Sequence, residues 1–219
     1  MRADARMLRE HGVAEMNGVG PAAKRLIVGF VCAALLATPV LAQFSDSYKF
    51  LKAVRDRDGA KVQEVVDQPG STLINAKDYD SGEAALHIVV KRRDSAWLAF
   101  LLAKGAKPDI RDRDGNTPLG IAAQLGFVEG VQTLVNGGAG VNVANNRGET
   151  PLILAVHNRD LVMTRSLLAA GANPLQPDRI AGKSARDYAS EDRRSTAILK
   201  LIDEAKPAKP KGQISGPGL

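Results

Sequence analysis

A glycine recurs at a nearly fixed interval through the middle of this chain. Gly82, Gly115 and Gly148 are equally spaced, and Gly182 follows one position later than the same step would place it. The segments that begin at these glycines read GEAALHIVV, GNTPLGIAA, GETPLILAV and GKSARDYAS. A unit of about 33 residues cannot bury a hydrophobic core alone, so neighbouring units have to stack against one another. The interval therefore predicts a solenoid built from repeated units.

A second set of landmarks keeps the same register. An aliphatic pair recurs in each unit, and a Gly-Ala pair follows it three residues later. The occurrences are Leu101-Leu102 before Gly105-Ala106, Leu134-Val135 before Gly138-Ala139, and Leu167-Leu168 before Gly171-Ala172. Glycine directly after an apolar stretch is typical of a helix C-terminus, where a left-handed residue satisfies the last carbonyl groups. Each unit is thus predicted to end with a helix.

These segments resemble the ankyrin repeat, whose unit is a turn opening with Gly-x-Thr-Pro-Leu, two antiparallel helices, and a Gly-Ala loop leading into a β-turn finger. Thr117-Pro118-Leu119 and Thr150-Pro151-Leu152 carry this motif intact, whereas residues 84–86 and 184–186 deviate from it. Threonine caps a helix N-terminus and proline is tolerated at the first helical position, so the local chemistry agrees. The resemblance implies an all-α ankyrin-repeat solenoid with β-turn fingers over residues 45–205.

Counting the units gives about five helix-pair repeats. The first unit lacks the Thr-Pro opening, and the last carries Arg and Glu at outer positions, as capping repeats require for solubility. Within a repeat domain of residues 43–205, the predicted repeats are 45–78 (N-terminal cap), 79–111, 112–144, 145–178 and 179–205 (C-terminal cap).

The segment after the repeats, residues 206–219, contains three lysines and three prolines and has no apolar periodicity. Such a composition predicts a disordered, basic tail. A contact of Lys206, Lys209 and Lys211 with an anionic lipid or an acidic partner is the alternative interpretation.

Residues 16–42 have the order of features of a secretory signal peptide. Lys24 and Arg25 precede an apolar run over 26–37, and a proline and small residues follow it. We predict cleavage after Ala42, which leaves a periplasmic or secreted mature chain of bacterial type without stable membrane insertion. A retained anchor is the alternative, although a spanning helix needs about 20 apolar residues and this run is shorter.

The segment before Met16 does not fit that leader. Asp4, Glu10 and Glu15 stand where a signal peptide has a basic segment. A start at Met16 removes all three acids, and we predict that translation begins there. A longer n-region that the export machinery tolerates is the alternative.

The composition excludes several classes of protein. Aromatic residues make up only 4% of the chain, which disfavours a β-sandwich. The single cysteine, Cys32, lies in the leader, so neither a disulfide framework nor a cysteine zinc site is expected. The formal charge of +6 comes from 30 basic and 24 acidic residues. Such a mixed surface does not require nucleic acid as a partner.

No combination of residues in the mature chain predicts catalysis. Lys183 and Ser184 look like the end of a P-loop, but Pro177 stands where that motif needs glycine. His87 and His157 lie in different repeats, far apart in the chain, so no zinc spacing exists. The first occupies the structural histidine position of the resembled family, and the second a surface position. We therefore predict a non-enzymatic chain without catalytic residues, metal site or cofactor.

The only tryptophan lies on an apolar stripe of one helix. Trp97 shares this stripe with Leu98, Leu101 and Leu102. The stripe predicts that its ring packs in the core and fills space beside Gly130, the corresponding position of the next repeat. An exposed binding residue is the alternative, because tryptophan is enriched at binding hot spots.

The resemblance also implies where a partner binds. In ankyrin repeats, contacts usually come from the finger tips and from the exposed ends of the first helices. The finger positions are Asp80, Ser81, Glu83, Arg113, Asp114, Asn116, Asn146, Arg147 and Glu149, and the helix-end positions are Lys91, Arg92, Gln124, Leu125, His157 and Asn158. These residues differ between repeats and, except Leu125, are polar. Ordinary solvated positions are the alternative interpretation.

These observations predict a protein–protein interaction module, an adaptor or scaffold that works outside the cytoplasm and is monomeric alone. Both charge signs at the predicted contact positions favour a protein partner with a polar, mixed-charge surface. An accessory or small-ligand-binding subunit of a periplasmic enzyme is the alternative, and a structural scaffold within the envelope is a third. The fold alone does not decide between them.

Overall fold

The computed structural model describes residues 46–205, which form α-helices, two short 3₁₀-helices and turns, with no β-strand among these residues. The α-helices are α1 (46–56), α2 (Gly59–Val66), α3 (Ala85–Lys91), α4 (Ser95–Ala103), α5 (Pro118–Gln124), α6 (Val128–Asn136), α7 (Pro151–His157), α8 (Leu161–Ala169), α9 (Ala185–Glu191) and α10 (Thr196–Glu204). The 3₁₀-helices are Leu73–Asn75 and Arg193–Ser195. The predicted leader, the start at Met16 and the predicted tail lie outside the described residues.

The helices follow one another as five pairs and pack in two layers. The first helices α3, α5, α7 and α9 contact one another in sequence, and so do the second helices α4, α6, α8 and α10. Each of these first helices also packs on the second helix of its own pair. The predicted all-α solenoid of about five helix pairs is confirmed. No helix in the described part of the chain is long and apolar enough to cross a membrane.

The first helices of the two central repeats begin as the Thr-Pro motif predicts. The Thr117 hydroxyl accepts a hydrogen bond from the Gly120 amide at 3.1 Å, and the Thr150 hydroxyl accepts one from the Ile153 amide at 3.3 Å. A proline occupies the first helical position after each threonine. The cap satisfies an amide that the helix itself leaves without a partner, so the starts of α5 and α7 are fixed locally.

The second helices end at glycines. Gly105, Gly138 and Gly171 adopt φ values of +90°, +90° and +93° one residue beyond the C-caps of α4, α6 and α8. Residues with a Cβ rarely adopt this left-handed conformation, which explains why glycine recurs there. The predicted helix ends are confirmed.

A leucine from each helix of the full repeats is completely buried between the two layers. These leucines recur with the interval of the motif glycines, at Leu86, Leu119 and Leu152 in the first helices and at Leu101, Leu134 and Leu167 in the second helices. Burying one such side chain contributes about 1.5–3 kcal/mol. The leucine framework is therefore explained by packing alone.

Trp97 only partly follows its prediction. Its ring is half-buried at the edge of the core, where it meets Phe100 edge to face at 6.1 Å and Arg92 at 5.7 Å between ring centroid and guanidinium carbon. The space at Gly130 is filled by Phe127, whose ring would lie 2.2 Å from a Cβ at that glycine. The prediction that Trp97 fills that space is wrong, because Phe127 turns its ring back onto its own helix.

Candidate functional site

Four hairpin-like fingers precede the first helices α3, α5, α7 and α9. In each finger a backbone amide on the incoming side donates to a carbonyl on the outgoing side. The four pairs are Asp78 to Glu83, Asp112 to Asn116, Asn145 to Glu149, and Asp178 to Lys183, at 2.8–3.0 Å. The first residue of every pair is Asp or Asn, whose side-chain oxygen also accepts hydrogen bonds from the loop. Local hydrogen bonds thus define each finger.

Backbone hydrogen bonds join each finger to the next. The Arg113 amide donates to the Ser81 carbonyl at 3.0 Å, and the Asn146 amide donates to the Asp114 carbonyl at 3.0 Å. The Arg179 amide continues the series to the Arg147 carbonyl at 2.9 Å. We call the four joined fingers, residues 78–83, 112–116, 145–149 and 178–183, the finger row.

The motif glycines make this close approach possible. Gly82, Gly115 and Gly148 have φ values of +70°, +78° and +83°. A Cβ at these positions would lie 2.7, 2.8 and 2.4 Å from the backbone nitrogen of the next finger. Only glycine permits both the left-handed conformation and that distance. The repeated glycines therefore fix the alignment of the finger row.

The tips of the finger row present exposed side chains. Asp80, Ser81, Arg113, Asp114 and their neighbours Asn146 and Arg147 are all exposed, as the sequence predicted. The Arg113 guanidinium donates to the Tyr79 carbonyl at 2.8 Å, which holds it across two fingers. These contacts leave much of each polar tip accessible to a partner.

Three predicted contact residues lie at the finger bases, and their polar groups are used inside the fold. Asn116 donates two hydrogen bonds to the Asp112 carboxylate, one from its backbone amide at 2.8 Å and one from its side-chain nitrogen at 3.1 Å. Glu149 accepts from Asn145 at 2.8 Å, and Glu83 pairs with Lys91. These residues support the fingers, and we exclude them from the proposed contact surface.

A second row follows the ends of the first helices. Lys91, Gln124 and His157 are exposed at the last positions of α3, α5 and α7. Asn158 is exposed too, and its side chain donates to the Gln124 carbonyl at 2.7 Å, whereas Leu125 is half-buried. These residues form a row of accessible helix ends, in which Leu125 contributes less surface than the others.

Arg92 has a different position from its neighbours in this row. Its half-buried guanidinium donates to the Val54 carbonyl at 2.6 Å and to the Arg55 carbonyl at 3.1 Å, at the end of α1. Burial lowers the pKa of Arg92, and the carboxylate of Asp94 opposes that shift. Because its donors serve the preceding repeat, we assign Arg92 to the framework and not to a contact surface.

His87 ties α3 to the second finger. Its ring is completely buried, its Nδ1 accepts from the Ala84 amide at 3.0 Å, and its Nε2 donates to the Asn116 carbonyl at 3.1 Å. Burial lowers the pKa of His87, so the neutral ring is the form that fits these two partners. The predicted structural role of this histidine is confirmed.

The described residues contain no cluster of three or more His, Cys, Asp and Glu side chains that could hold a metal ion. Shallow depressions occur on the surface of the described residues. One of about 460 Å³ lies between α6 and α8, with Val128, Val131, Val135 and Val162 in its lining. Another, of about 360 Å³, contains His157, whose ring packs against Tyr188 with a centroid distance of 4.4 Å and an interplanar angle of 58°.

The fourth finger was not predicted as a contact site, because the tip positions were counted only from Gly82, Gly115 and Gly148. Arg179 and Ile180 are exposed at its tip. The fourth motif glycine, Gly182, was the available signal. The structure also shows an exposed Tyr79 in the first finger, just before the predicted tip residues.

Stacked helix pairs with an aligned row of fingers define a repeat protein of the ankyrin type. Residues 50–145 match the family described as "Ankyrin repeats (3 copies)", and residues 147–179 match the family described as "Ankyrin repeat". The chain therefore belongs to the ankyrin repeat family. Ankyrin repeats are typically non-enzymatic protein–protein interaction modules, which agrees with the function predicted from the sequence.

Several curated proteins share part of this sequence. The B-cell lymphoma 3 protein of Homo sapiens is 41% identical over 100 residues, which are 44% of this chain and 22% of that protein. A putative ankyrin repeat-containing protein of Treponema pallidum (strain Nichols) is 37% identical over 109 residues, 49% of this chain and 36% of that protein.

The E3 ubiquitin-protein ligase KEG of Arabidopsis thaliana is 35% identical over 107 residues, 47% of this chain and 6% of that protein. The chain thus spans only 6–36% of these three relatives. Proteins with such different names share the repeats, so the similarity identifies the module and not its partner.

Proposed function

We propose that this chain is a non-catalytic adaptor or scaffold that binds a protein partner through the finger row and the adjoining ends of α3, α5 and α7. The observation that carries the proposal is the series of backbone bonds between consecutive fingers. It holds the exposed tips in fixed positions before a partner arrives, which reduces the entropy lost on binding.

The accessible side chains suggest the chemistry of the partner. Arg113, Arg147 and Lys91 are exposed and cationic, whereas Asp80 and Asp114 are exposed and anionic. Alternating charge of this kind suits a polar, mixed-charge protein surface, where electrostatics control orientation and association rate. The proposed contact residues are therefore Asp80, Ser81, Lys91, Arg113, Asp114, Gln124, Asn146, Arg147, His157 and Asn158.

Charge reversal tests this surface. A variant with Lys91→Glu, Arg113→Glu and Arg147→Glu should lose most binding to a partner purified from the native organism, with a melting temperature within a few degrees of wild type. The control reverses three exposed cations on second helices, Lys61, Arg165 and Lys200. If the folded Lys91, Arg113 and Arg147 variant binds as wild type does and the control variant loses binding, the partner binds the second helices.

We also propose that the protein is an exported protein of bacterial type that works outside the cytoplasm and is monomeric in the absence of its partner. The support is the order of basic, apolar and small residues in 16–42. Cell fractionation followed by N-terminal sequencing should give an exported protein that begins at Gln43. A cytoplasmic protein that retains residues 16–42 would contradict this proposal.

The depression between α6 and α8 favours a second candidate, a small-ligand-binding or accessory subunit of an exported enzyme. Its valine lining and its volume of about 460 Å³ match the size of small-molecule sites. Native mass spectrometry of the protein purified from its own organism distinguishes the candidates. A bound small molecule of fixed mass would favour the second candidate, and a stoichiometric protein the first.

A further inference from the structure

The two end fingers are longer than the two middle fingers. Four residues, 79–82 and 179–182, lie between the paired residues of the first and fourth fingers. Only three, 113–115 and 146–148, lie between those of the second and third. Each end finger therefore has one additional residue at its tip.

Each longer tip carries a large, exposed apolar side chain. Tyr79 and Ile180 each expose 77% of their surface, more than the other exposed large hydrophobic residues of the described part, Tyr48, Val162 and Leu175. The middle fingers present only Arg113, Asp114, Asn146 and Arg147 at their exposed tips. Single exposed apolar residues are common, but the same feature on both extended fingers points to a shared purpose.

The backbone of the first finger is fixed around Asp78. One carboxylate oxygen of Asp78 accepts from the amides of Asp80 and Ser81, both at 3.1 Å. The other accepts from Arg55 of α1 at 2.9 Å. The amide of Ser81 and the guanidinium of Arg55 lower the pKa of Asp78 to about 2, so the carboxylate stays ionised.

The fourth finger repeats this arrangement around Asp178. One carboxylate oxygen accepts from the amides of Ile180 at 2.9 Å and Ala181 at 2.7 Å. The other accepts from the Tyr188 hydroxyl of α9, a bond that raises the pKa of Tyr188 to about 12. Hydrogen bonds to Asp78 and Asp178 thus fix the backbone of both tips, which reduces the entropy lost when a protein binds there.

We propose that Tyr79 and Ile180 are two apolar anchors that insert into two concavities of one folded protein partner, with the charged middle fingers over the polar surface between them. This proposal rests on the proposed function and specifies the shape and chemistry of its partner. Consecutive repeats are separated by roughly 8–10 Å, the spacing of packed helices, so the anchors lie roughly 24–30 Å apart. A folded protein is favoured because the exposed tips between the anchors, Arg113, Asp114, Asn146 and Arg147, carry both charge signs and need a polar surface opposite them.

The first step of the test is photo-crosslinking in the native organism. The full chain carries benzoylphenylalanine at position 79, at position 180 or, as a control, at exposed Tyr48 on α1. One protein should crosslink from both 79 and 180, at two separate regions of its surface, and not from 48. Different proteins from the two positions, or none from either, would overturn the proposal.

The second step measures affinity for that crosslinked protein after purification. Tyr79→Ser and Ile180→Ser should each weaken binding about tenfold, because each removes an apolar side chain that the complex buries. The double variant should lose about a hundredfold. Matched controls at two other exposed apolar residues, Tyr48→Ser and Leu175→Ser, should bind as wild type does. Binding of the double variant within twofold of wild type would overturn the proposal.

The same titration separates the two proposals. Loss of binding in the Lys91, Arg113 and Arg147 charge reversal without loss in the anchor variants would overturn the anchors and leave the proposed function intact. Wild-type binding by the charge-reversal variant and by the anchor variants would overturn both the anchors and the proposed binding surface. A short peptide from the partner that binds as tightly as the whole protein would overturn the requirement for a folded surface.

Discussion

At the scale of single residues, Gly148 and Gly182 occupy equivalent turns but differ in their surroundings. Both have positive φ, +83° and +65°. A Cβ at Gly148 would lie 2.4 Å from the Arg179 nitrogen, whereas one at Gly182 would meet no atom within 4 Å. Substitution at Gly182 therefore introduces backbone strain alone, whereas substitution at Gly148 introduces the same strain together with a clash against the next finger.

Alanine substitution at these two glycines tests that separation. Gly182→Ala should lower the free energy of unfolding by about 1–2 kcal/mol, the cost of a left-handed non-glycine residue. Gly148→Ala should cost at least about 1 kcal/mol more, because the Arg179 amide has to leave the Arg147 carbonyl. Urea unfolding measures both values. Equal losses would show that the backbone bonds between fingers contribute little.

His87 makes the stability of the fold depend on pH. Burial holds its folded-state pKa below the ordinary value of 6.5, so the unfolded chain binds a proton first as the pH falls. The contribution of the neutral ring is complete above the unfolded pKa and is lost progressively as the pH drops from there towards the folded pKa. The urea concentration at the unfolding midpoint should therefore decrease as the pH is lowered from 7.5 to 5.5.

Two variants assign that effect. His87→Gln should be less stable and should lose most of the pH dependence in this interval, whereas exposed His157→Gln should retain it. An unchanged pH dependence in His87→Gln would mean that another group titrates.

At the scale of elements, a side chain from the next repeat closes the end of α1. Arg92 donates to the carbonyl of Val54, which also accepts from the Arg57 amide at 3.3 Å, and to the carbonyl of Arg55. The residue therefore joins two helix pairs as well as capping one helix.

Arg92→Ala should lower the free energy of unfolding by about 2 kcal/mol, since charge-assisted bonds to partly buried carbonyls are lost. For a domain of this size that corresponds to a fall in melting temperature of about 4–8 °C. The neighbouring Lys91→Ala, at an exposed position, should stay within about 0.5 kcal/mol of wild type. A thermally neutral Arg92→Ala would return this arginine to the candidate contact surface.

Local signals made the element boundaries predictable. Thr117 and Thr150 cap their own helices, and Gly105 ends its own, so short stretches of sequence contain all that is needed. The function of Arg92 was not predictable, because its partners lie in the preceding helix pair, far from it in the chain. The ring beside Gly130 was not predictable either, since register alone does not say which neighbouring side chain turns into a gap.

The candidate site was predictable to the same extent. The glycine interval located the tips and helix ends, but not the bonds that bind Glu83, Asn116 and Glu149 into the finger bases. The longer end fingers depend on a single additional residue each. In the first finger the sequence does not reveal the additional residue, because Gly82, Gly115 and Gly148 are equally spaced. It becomes visible only in the hydrogen-bond pairing, where Asp78 bonds to Glu83 across four residues and Asp112 bonds to Asn116 across three.

At the scale of the whole molecule, stability depends on every repeat having a neighbour. The last pair covers the preceding one through α9 on α7 and α10 on α8, with Ile198 and Ile202 buried. A chain that ends at residue 178 exposes the apolar faces of α7 and α8 and should lose about 4 kcal/mol or more.

A chain that ends at Ala205 should unfold as wild type does, because residues 206–219 contain no apolar periodicity. Urea unfolding of both truncations measures the difference. A large loss on removing 206–219 alone would show that this segment packs on the repeats.

Amide hydrogen exchange, measured with and without the purified partner, shows directly whether the finger row binds that partner. We predict slower exchange on binding in the finger segments 78–83, 112–116, 145–149 and 178–183. Exchange should stay unchanged at the turns that end the second helices α4, α6 and α8 and contain Gly105, Gly138 and Gly171. Protection of those turns or of the second helices, with the finger segments unchanged, would show that the partner does not bind the finger row.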